Sequence, residues 1–476
     1  MDGLAPYPVM KDSGLTWLGQ IPDPWKILRA KSVFTVVDVR SETGTEELLT
    51  VSSNDGVLPR SQKTVTMFKA ESYVGHKLCW PGDLVINSLW AWMQGLGFSR
   101  HYGLVSSAYS VYRPKPAFTN YADYFHYALR SAAYKWELQT RSKGVWLSRL
   151  QLSDPAFLDM PIIVPPPDEQ SAIVRFLNYV DRRIRSYIRN RQRLIKLLEE
   201  QKQGILQRML GHGLAPNPKL KLSGLECCPL IPEEYTRTTL GRVCLSIRDG
   251  THNPPPAVAG IHRLLSVRNI IGGRFVTRAD DRTMSPDAYD ELQRSYTVQA
   301  GDVVLALVGA TTGKSAVVEE MENVTVQRSI GIIRPNHRLI DSRFLNLVVR
   351  SDIVQSQIRQ IMDKYAAQPG IYLEDVAALQ VVFPSLDEQS SILDAVESQW
   401  HPVDTFISRV SAGIKLLREF HVRLIADVVT GKADVRCISR ELAEEVQDIE
   451  LEEEQTDLDQ QTDDAEVDGT TEEAEA

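Results

Sequence analysis

Two stretches place residues at spacings that nucleotide chemistry uses, and each lacks a part. Gly309-Ala310-Thr311-Thr312-Gly313-Lys314-Ser315 has the outline of a phosphate-binding loop. That loop needs four residues between its glycines so that successive N–H groups can wrap the phosphates. Here three residues separate them, and Val308 stands where the first glycine belongs. The apolar runs on either side, Val303 to Val308 and Ser315 to Val318, read instead as two arms of a hairpin with a glycine-rich turn. Asn253-Pro254-Pro255-Pro256 has the outline of the motif with which methyltransferases hold a flipped base, but proline occupies the place of the stacking aromatic ring. No glycine-rich loop after a strand offers a seat for S-adenosylmethionine, and no zinc-protease helix, nucleophile elbow or metal-spaced cysteine cluster is evident. Catalysis by this chain is not expected, nor is any bound cofactor or metal.

What remains is binding chemistry. Trp90, Trp92, Gln94, Gly95, Arg100, His101 and Tyr102 fall in one short stretch, followed by Arg141 and Lys143. A second group comprises Thr251, His252, Arg263, Arg268, Thr312, Lys314, Arg328 and Lys364. Arginine and lysine on loops reach phosphates and guanine edges, and the glutamine amide can read adenine. The DNA-contact candidates are therefore Trp92, Gln94, Arg100, His101, Arg141, Lys143, Thr251, His252, Thr312, Lys314, Arg328 and Lys364. Taken singly, each is also what an ordinary charged or polar surface would offer.

The overall charge conceals this balance. The 476 residues carry 53 Lys or Arg against 62 Asp or Glu, a formal charge of −9. From Glu441 to the end there are 17 acidic residues and no basic one, so the first 440 residues carry +8. A mildly basic body suits a polyanion binder. The five cysteines show no CxxC spacing and read as free thiols. No signal peptide and no apolar run of membrane-spanning length is evident, so the cytoplasm is the expected compartment, with no membrane partner.

These candidates must be positioned by something, and the chain holds one positioning element twice. Asp168-Glu169-Gln170-Ser171-Ala172-Ile173 opens a helical pattern through Leu198, and Asp387-Glu388-Gln389-Ser390-Ser391-Ile392 opens another through Leu417, displaced by 219 throughout. Apolar residues at alternating four- and three-residue steps predict a coiled-coil seam: Ile173, Leu177, Val180, Ile184, Tyr187, Leu194, Leu198 and Ile205 in the first, Ile392, Val396, Val403, Phe406, Val410, Leu417, Phe420 and Leu424 in the second. Arg191 and Gln201 are polar seam positions. A helix from Glu169 to Leu210 would be roughly 60 Å long. Arg175, Arg182, Arg189 and Lys196, at steps of seven opposite the seam, form either a solvated face or a rail for DNA or a partner. Pro402 predicts a kink or late start in the second helix.

The repeat extends beyond the helices. Ser13-Gly14-Leu15, Ile21-Pro22 and Trp25 recur as Ser223-Gly224-Leu225, Ile231-Pro232 and Tyr235; Gly82-Asp83 recurs as Gly301-Asp302, and Arg113-Pro114 as Arg334-Pro335. The chain is thus read as mixed α/β (α+β), with internal duplication. The expected domains are a globular region at 1–167, a helix at 168–210, a linker at 211–224, a second globular region at 225–386, a helix at 387–432 and an acidic, disordered tail at 433–476.

Several of these segments together resemble the specificity (S) subunit of type I restriction-modification systems. They are Pro165-Pro166-Pro167-Asp168-Glu169-Gln170, Pro384-Ser385-Leu386-Asp387-Glu388-Gln389, Gly103 to Tyr109 before Val111-Tyr112-Arg113-Pro114, Asp249-Gly250-Thr251-His252, Ala367-Gln368-Pro369-Gly370-Ile371, and Val429-Thr430-Gly431-Lys432-Ala433-Asp434-Val435. The resemblance covers all but the acidic tail, which departs from the pattern. It implies two target-recognition domains, each reading half of a split double-stranded DNA site, and two long helices paired as an antiparallel coiled coil. Ile173, Leu177, Ile184, Leu194, Leu198, Ile392, Val396, Phe406, Leu417 and Phe420 would line that pairing and subunit interface. It further implies two methyltransferase (modification) subunits and restriction (motor) subunits as partners, with S-adenosylmethionine, ATP and Mg on those partners and no active site here. The rival readings are a single-chain DNA-binding adenine methyltransferase and a coiled-coil scaffold that does not bind DNA.

Overall fold

The computed structural model describes residues 4–53, 56–62, 72–144, 150–364 and 370–442. The chain divides into two compact units: Met1–Asn190 with Ala412–Ala476, and Arg191–Ser411. Helices and strands are mixed in both. Two long helices, Pro167–His212 and Leu386–Val429, each contribute one half to each unit.

In the first unit a hairpin pairs Met10–Asp12 with Gln20–Pro22, and Lys26–Arg29 pairs antiparallel with Pro161–Val164. An antiparallel sheet follows in the order Phe34–Val37, Tyr109–Pro114, Leu84–Asn87, Leu96–Phe98. Its turns are chemically fixed. Gly82 takes a positive φ of 89°, and the buried Asp83 carboxylate accepts the Trp80 N–H at 2.9 Å and holds Arg113 through two N–H bonds of 2.7 and 2.8 Å. Trp25, Phe34, Tyr112, Phe125, Tyr134 and Phe157 fill the core.

The second unit follows the same plan. Leu220–Leu222 pairs with Leu230–Pro232, and Thr236–Thr239 with Gln380–Phe383. Cys244–Asp249, Ile330–Pro335, Val303–Ala306 and Ser315–Val317 occupy the four corresponding sheet places, extended here by Arg274–Phe275 and Ile270–Ile271. Registers correspond as well: Leu84 faces Phe98 in one sheet, and Val303 faces Val317 in the other. Buried Asp302 accepts from the Arg334 guanidinium through two bonds of 2.8 Å, as Asp83 does from Arg113. A three-stranded sheet of Arg282–Met284, His262–Leu265 and Val324–Val326, the last two parallel, has no counterpart among the described residues of the first unit.

The first long helix begins on Pro167, the second at Leu386 after Pro384-Ser385, where the Ser385 hydroxyl accepts the Glu388 N–H at 3.4 Å; in each, two acidic residues in the first turn complement the helix dipole. The Asp-Glu-Gln triplets act as latches. Trp25 Nε1 donates to Glu169 at 2.7 Å and Tyr235 Oη to Glu388 at 3.0 Å. The Gln170 and Gln389 amides donate to the Pro165 and Pro384 carbonyls at 2.9 and 3.0 Å. In the first unit Ile173, Leu177, Val180 and Ile184 share a core with Leu424 and Val428 from the end of the other helix. In the second, Leu206, Met209 and Leu210 share a core with Ile392, Val396 and Trp400.

Four expectations need correction. Pro402 lies inside a helix that starts at Leu386, so there is no late start. Phe406 is 44% exposed and Tyr187 49% exposed. The buried and half-buried positions run 396, 400, 403, 407, 410, 414, 417, and 180, 184, 188, 191, 195, 198. Each misassigned aromatic lies one residue, about 100° around the helix, from that line. Gln201 is likewise exposed, and Lys202 takes its place, pairing with Asp404 and lying 4.4 Å from the Trp400 ring centroid. Finally, the tail does not begin at 433. Residues 436–442 are helical, Val435 and Leu442 are buried in the first unit's core, and Arg175 Nη1 donates to the Ser439 carbonyl at 3.2 Å. The acidic residues 443–476 lie outside the described residues.

Candidate nucleic-acid interface

The structure distributes the candidate residues over hairpin tips, one cleft and several separate loops. In the first unit, residues 88–95 connect Leu84–Asn87 to Leu96–Phe98 and carry Trp90, Trp92 and Gln94. The Trp90 and Trp92 rings stack with centroids 6.2 Å apart and planes 14° apart, and Trp90 is 56% exposed. The Trp92 indole N–H donates to the Leu89 carbonyl at 3.0 Å. Gln94 closes the turn with a positive φ of 63°, and its amide donates to the Arg130 and Ser131 carbonyls at 2.6 and 2.9 Å. That amide nitrogen is committed to the fold, and the tip's outward surface is exposed Trp90, with half-buried Trp92 stacked on it, beside exposed Leu89 and Met93.

In the second unit the equivalent connection, 307–314, holds Gly309, Thr312, Gly313 and Lys314. It is the hairpin that the sequence suggested in place of a phosphate loop. Gly313 has φ +91°, and its carbonyl accepts from the Gln355 amide at 2.9 Å. Thr312 Oγ1 donates to the Gly309 carbonyl at 2.7 Å, and Lys314 is exposed. Backbone bonds bring other candidates to the root of this hairpin. Thr251 N–H donates to Val326, Arg328 N–H to Thr251, and Leu307 N–H to Ser329, at 2.9, 3.0 and 2.9 Å. Gly250 makes this approach possible, since a Cβ there would lie 2.1 Å from the Val326 carbonyl oxygen. His252 is exposed, with Nε2 2.7 Å from Asp249. Thr251 and His252, Thr312 and Lys314, and Arg328 therefore belong to three neighbouring loops.

Other candidates stand apart. Arg141 is tied to Glu137 and bonded to the Ala156 carbonyl, and Lys143 is exposed where it bridges Gln151. Lys364 is exposed at the end of the helix Asp352–Lys364. Ala367, Gln368 and Pro369 lie outside the described residues, while Gly370 pairs with Val308 at the hairpin root.

Arg100 and His101 line a cleft of about 800 Å3 at the other end of the first sheet. Its far wall is the first long helix, which contributes Asn178, Asp181, Arg182 and Arg185. His126 and Tyr127 complete it. Burial, followed by the nearby charges of Arg130, Arg100 and Arg185, pushes the His126 imidazole down to about 3, so it is neutral at physiological pH. Sequence reading missed this juxtaposition, because Arg100 and Arg182 are far apart in the chain and no local pattern links them.

With this geometry in hand, the chain can be set beside known proteins. Its fold matches that of a chain from a solved assembly of a type I restriction-modification system, with a TM-score of 0.56 at 15% identity over 86% of this chain and 98% of that one. In sequence it is similar to the EcoBI type I restriction enzyme specificity subunit of Escherichia coli: 23% identical over 318 residues, spanning 65% of this chain and 65% of that protein. The HsdS subunit of Thermoanaerobacter tengcongensis aligns over 86% of this chain at 16% identity and a TM-score of 0.36. No family model matches. The resemblance first read from the motifs is thus found again in both sequence and fold. No helix among the described residues is long and apolar enough to cross a membrane, and no group of three or more His, Cys, Asp or Glu among them is arranged to hold a metal.

Proposed function

We propose that this chain is the DNA sequence-specificity subunit of a type I restriction-modification complex. The supporting observation is that the two units repeat one plan while differing in their hairpin tips. Strand registers, the Asp–Arg latch and the aromatic–glutamate contact at the start of each long helix recur, and the tip chemistry changes from Trp90 and Trp92 to Thr312 and Lys314. Internal duplication accounts for the shared plan, and two different half-sites account for the tips. On this reading the globular regions at 1–167 and 225–386 are the two target-recognition domains.

On this reading the long helices pair as an antiparallel coiled coil. In both cores, early residues of one helix meet late residues of the other, which supports that direction. The pair sets the distance between the half-sites and docks two methyltransferase subunits, which restriction subunits then join. The chain itself is non-catalytic. S-adenosylmethionine, ATP and Mg belong to the partners, and the complex works in the cytoplasm. Flipping a base for methylation requires DNA held in fixed register, which is the service two recognition domains on a spacer provide.

The test is methylome sequencing of a host that expresses the partner methyltransferase subunit with and without this chain. A split adenine-methylation motif that depends on the chain is the expected result. No new methylation from a soluble, associated pair would favour the scaffold reading. Methylation by the isolated chain would favour the single-chain enzyme.

A further inference from the structure

The acidic residues 443–476 have no place in the specificity role, and the first unit offers a surface of opposite sign beside the point where they leave it. From Arg175 to Asn190 the first long helix has five arginines (Arg175, Arg182, Arg183, Arg185 and Arg189) and one acidic residue, Asp181. Asp181 pairs with Arg185 at 2.9 Å and lies 3.4 Å from His421, so it offsets one of the five arginines and the stretch keeps a net charge of +4. Arg182 and Arg185 form one wall of the 800 Å3 cleft, and Arg100 stands on the opposite side. Asp123 is the other carboxylate that lines it. His126, which also lines the cleft, is held neutral first by burial and then by the nearby charges of Arg130, Arg100 and Arg185, so it adds no charge there.

The chain is led directly to this surface. Leu442 is buried in the core that includes Ile173 and Leu177, and the Ser439 carbonyl accepts from Arg175 at 3.2 Å. Arg182 lies about 10 Å and Arg189 about 20 Å further along the same helix face. The segment 443–476 holds 16 Asp or Glu and no Lys or Arg. Extended at about 3.3 Å per residue, its first ten residues already span Arg175 to Arg189. We propose that residues 443–476 lie along the arginine face of the first long helix and into the Arg100–Arg182–Arg185 cleft, so that the chain's own tail occupies this cationic groove. Tethering makes the contact effectively intramolecular, so even weak pairs of exposed charges hold it at moderate salt. A polyanion entering the groove must displace the tail.

The test uses a fluorescein-labelled peptide of residues 443–476 and two forms of the protein, the full chain and a chain ending at Leu442. The shortened chain should bind the peptide at 50 mM salt, and the full chain about ten-fold more weakly because its groove is filled in cis. Both signals should fade near 0.5 M salt, where screening shortens the range of the charges. Arg100→Glu with Arg182→Glu in the shortened chain should abolish binding, while Lys143→Glu, on the same unit but away from the groove, should not. Equal binding by the full and shortened chains, no binding by the shortened chain, or indifference to the arginine reversals would each overturn the proposal. Circular dichroism of the variants separates loss of the groove from loss of the fold. None of these readouts involves DNA, so their failure leaves the proposed specificity role untouched.

Discussion

The two units build one sheet and finish it differently. In the first, the turn after Leu84–Asn87 displays two stacked tryptophans, held by the Gln94 amide on the Arg130 and Ser131 carbonyls. In the second, the turn after Val303–Ala306 displays threonine and lysine on a glycine-shaped backbone, held by the Gln355 amide on the Gly313 carbonyl. Both turns are fixed by a glutamine amide, but it comes from the turn itself in one unit and from a helix in the other. The difference teaches where the plan is strict and where it is free. Buried latches are retained because an unpaired buried charge or an emptied aromatic pocket is costly. Tips change because solvent-facing side chains at a turn bear little of the fold's stability.

The same contrast continues behind the tips. The helix Ala122–Leu129 carries His126, and the helix Ser342–Arg350 carries Asn346 at the corresponding position, where it accepts the Ser315 hydroxyl at 2.8 Å. Arg130 and Arg350 follow at matching places and press against Gly56 and Gly273, both with positive φ. The first unit thus has an ionisable ring where the second has a neutral amide.

Three experiments break or sharpen this comparison. The largest effect is expected at the aromatic latches. Trp25→Ala empties a fully buried site and leaves Glu169 without its donor, so it should cost about 3–5 kcal/mol in urea unfolding. Tyr235→Ala should cost less, because less volume is removed. The next effect lies in the Asp–Arg pairs. Asp302→Asn should destabilise by about 2–4 kcal/mol, and Asp83→Asn by less, since the Arg113 side chain is 47% exposed and can turn to water whereas Arg334 is 23% exposed. Equal losses would show that exposure of the arginine does not set the cost. The smallest effect is pH-dependent. The folded protein resists protonating His126, so the unfolded chain binds the extra proton first, and stability falls as pH drops from about 6.5 toward 3. His126→Asn, which imports the second unit's residue, should flatten this part of the pH–stability curve. An unchanged slope would mean that the ring is not the titrating group.

Much of this plan was legible in the sequence because it is spelled by residues that cannot be exchanged freely. The helix starts, the Gly-Asp turns and the Arg-Pro strand ends recur at nearly constant displacement, and each proves to hold a contact with one buried partner, Trp25, Tyr235, Asp83 or Asp302. The seam was legible in outline and misread in detail. Phe406 and Tyr187 fit a seam by size and apolarity, but neighbouring Ile407 and Ile188 keep the phase. The site was less legible. Gln94 and Arg141 have the right chemistry for DNA, yet hydrogen bonds to Ser131, Ala156 and Glu137 employ them in the fold. The cleft joining Arg100 to Arg182 and Arg185 arises from tertiary packing alone, and nothing local foretells it. The six-stranded sheet closes with two-residue strands, Arg274–Phe275 and Ile270–Ile271, too short to show a period.

The central claim is that the two tips read separate halves of one DNA target. Methylome sequencing of hosts carrying the partner methyltransferase subunit with either Trp90→Ala/Trp92→Ala or Lys314→Ala tests it most directly. Each variant should loosen or lose specificity in one half of the split motif and leave the other half and the spacer unchanged. Loss in both halves from either variant, or an unaltered motif from both, would contradict the account.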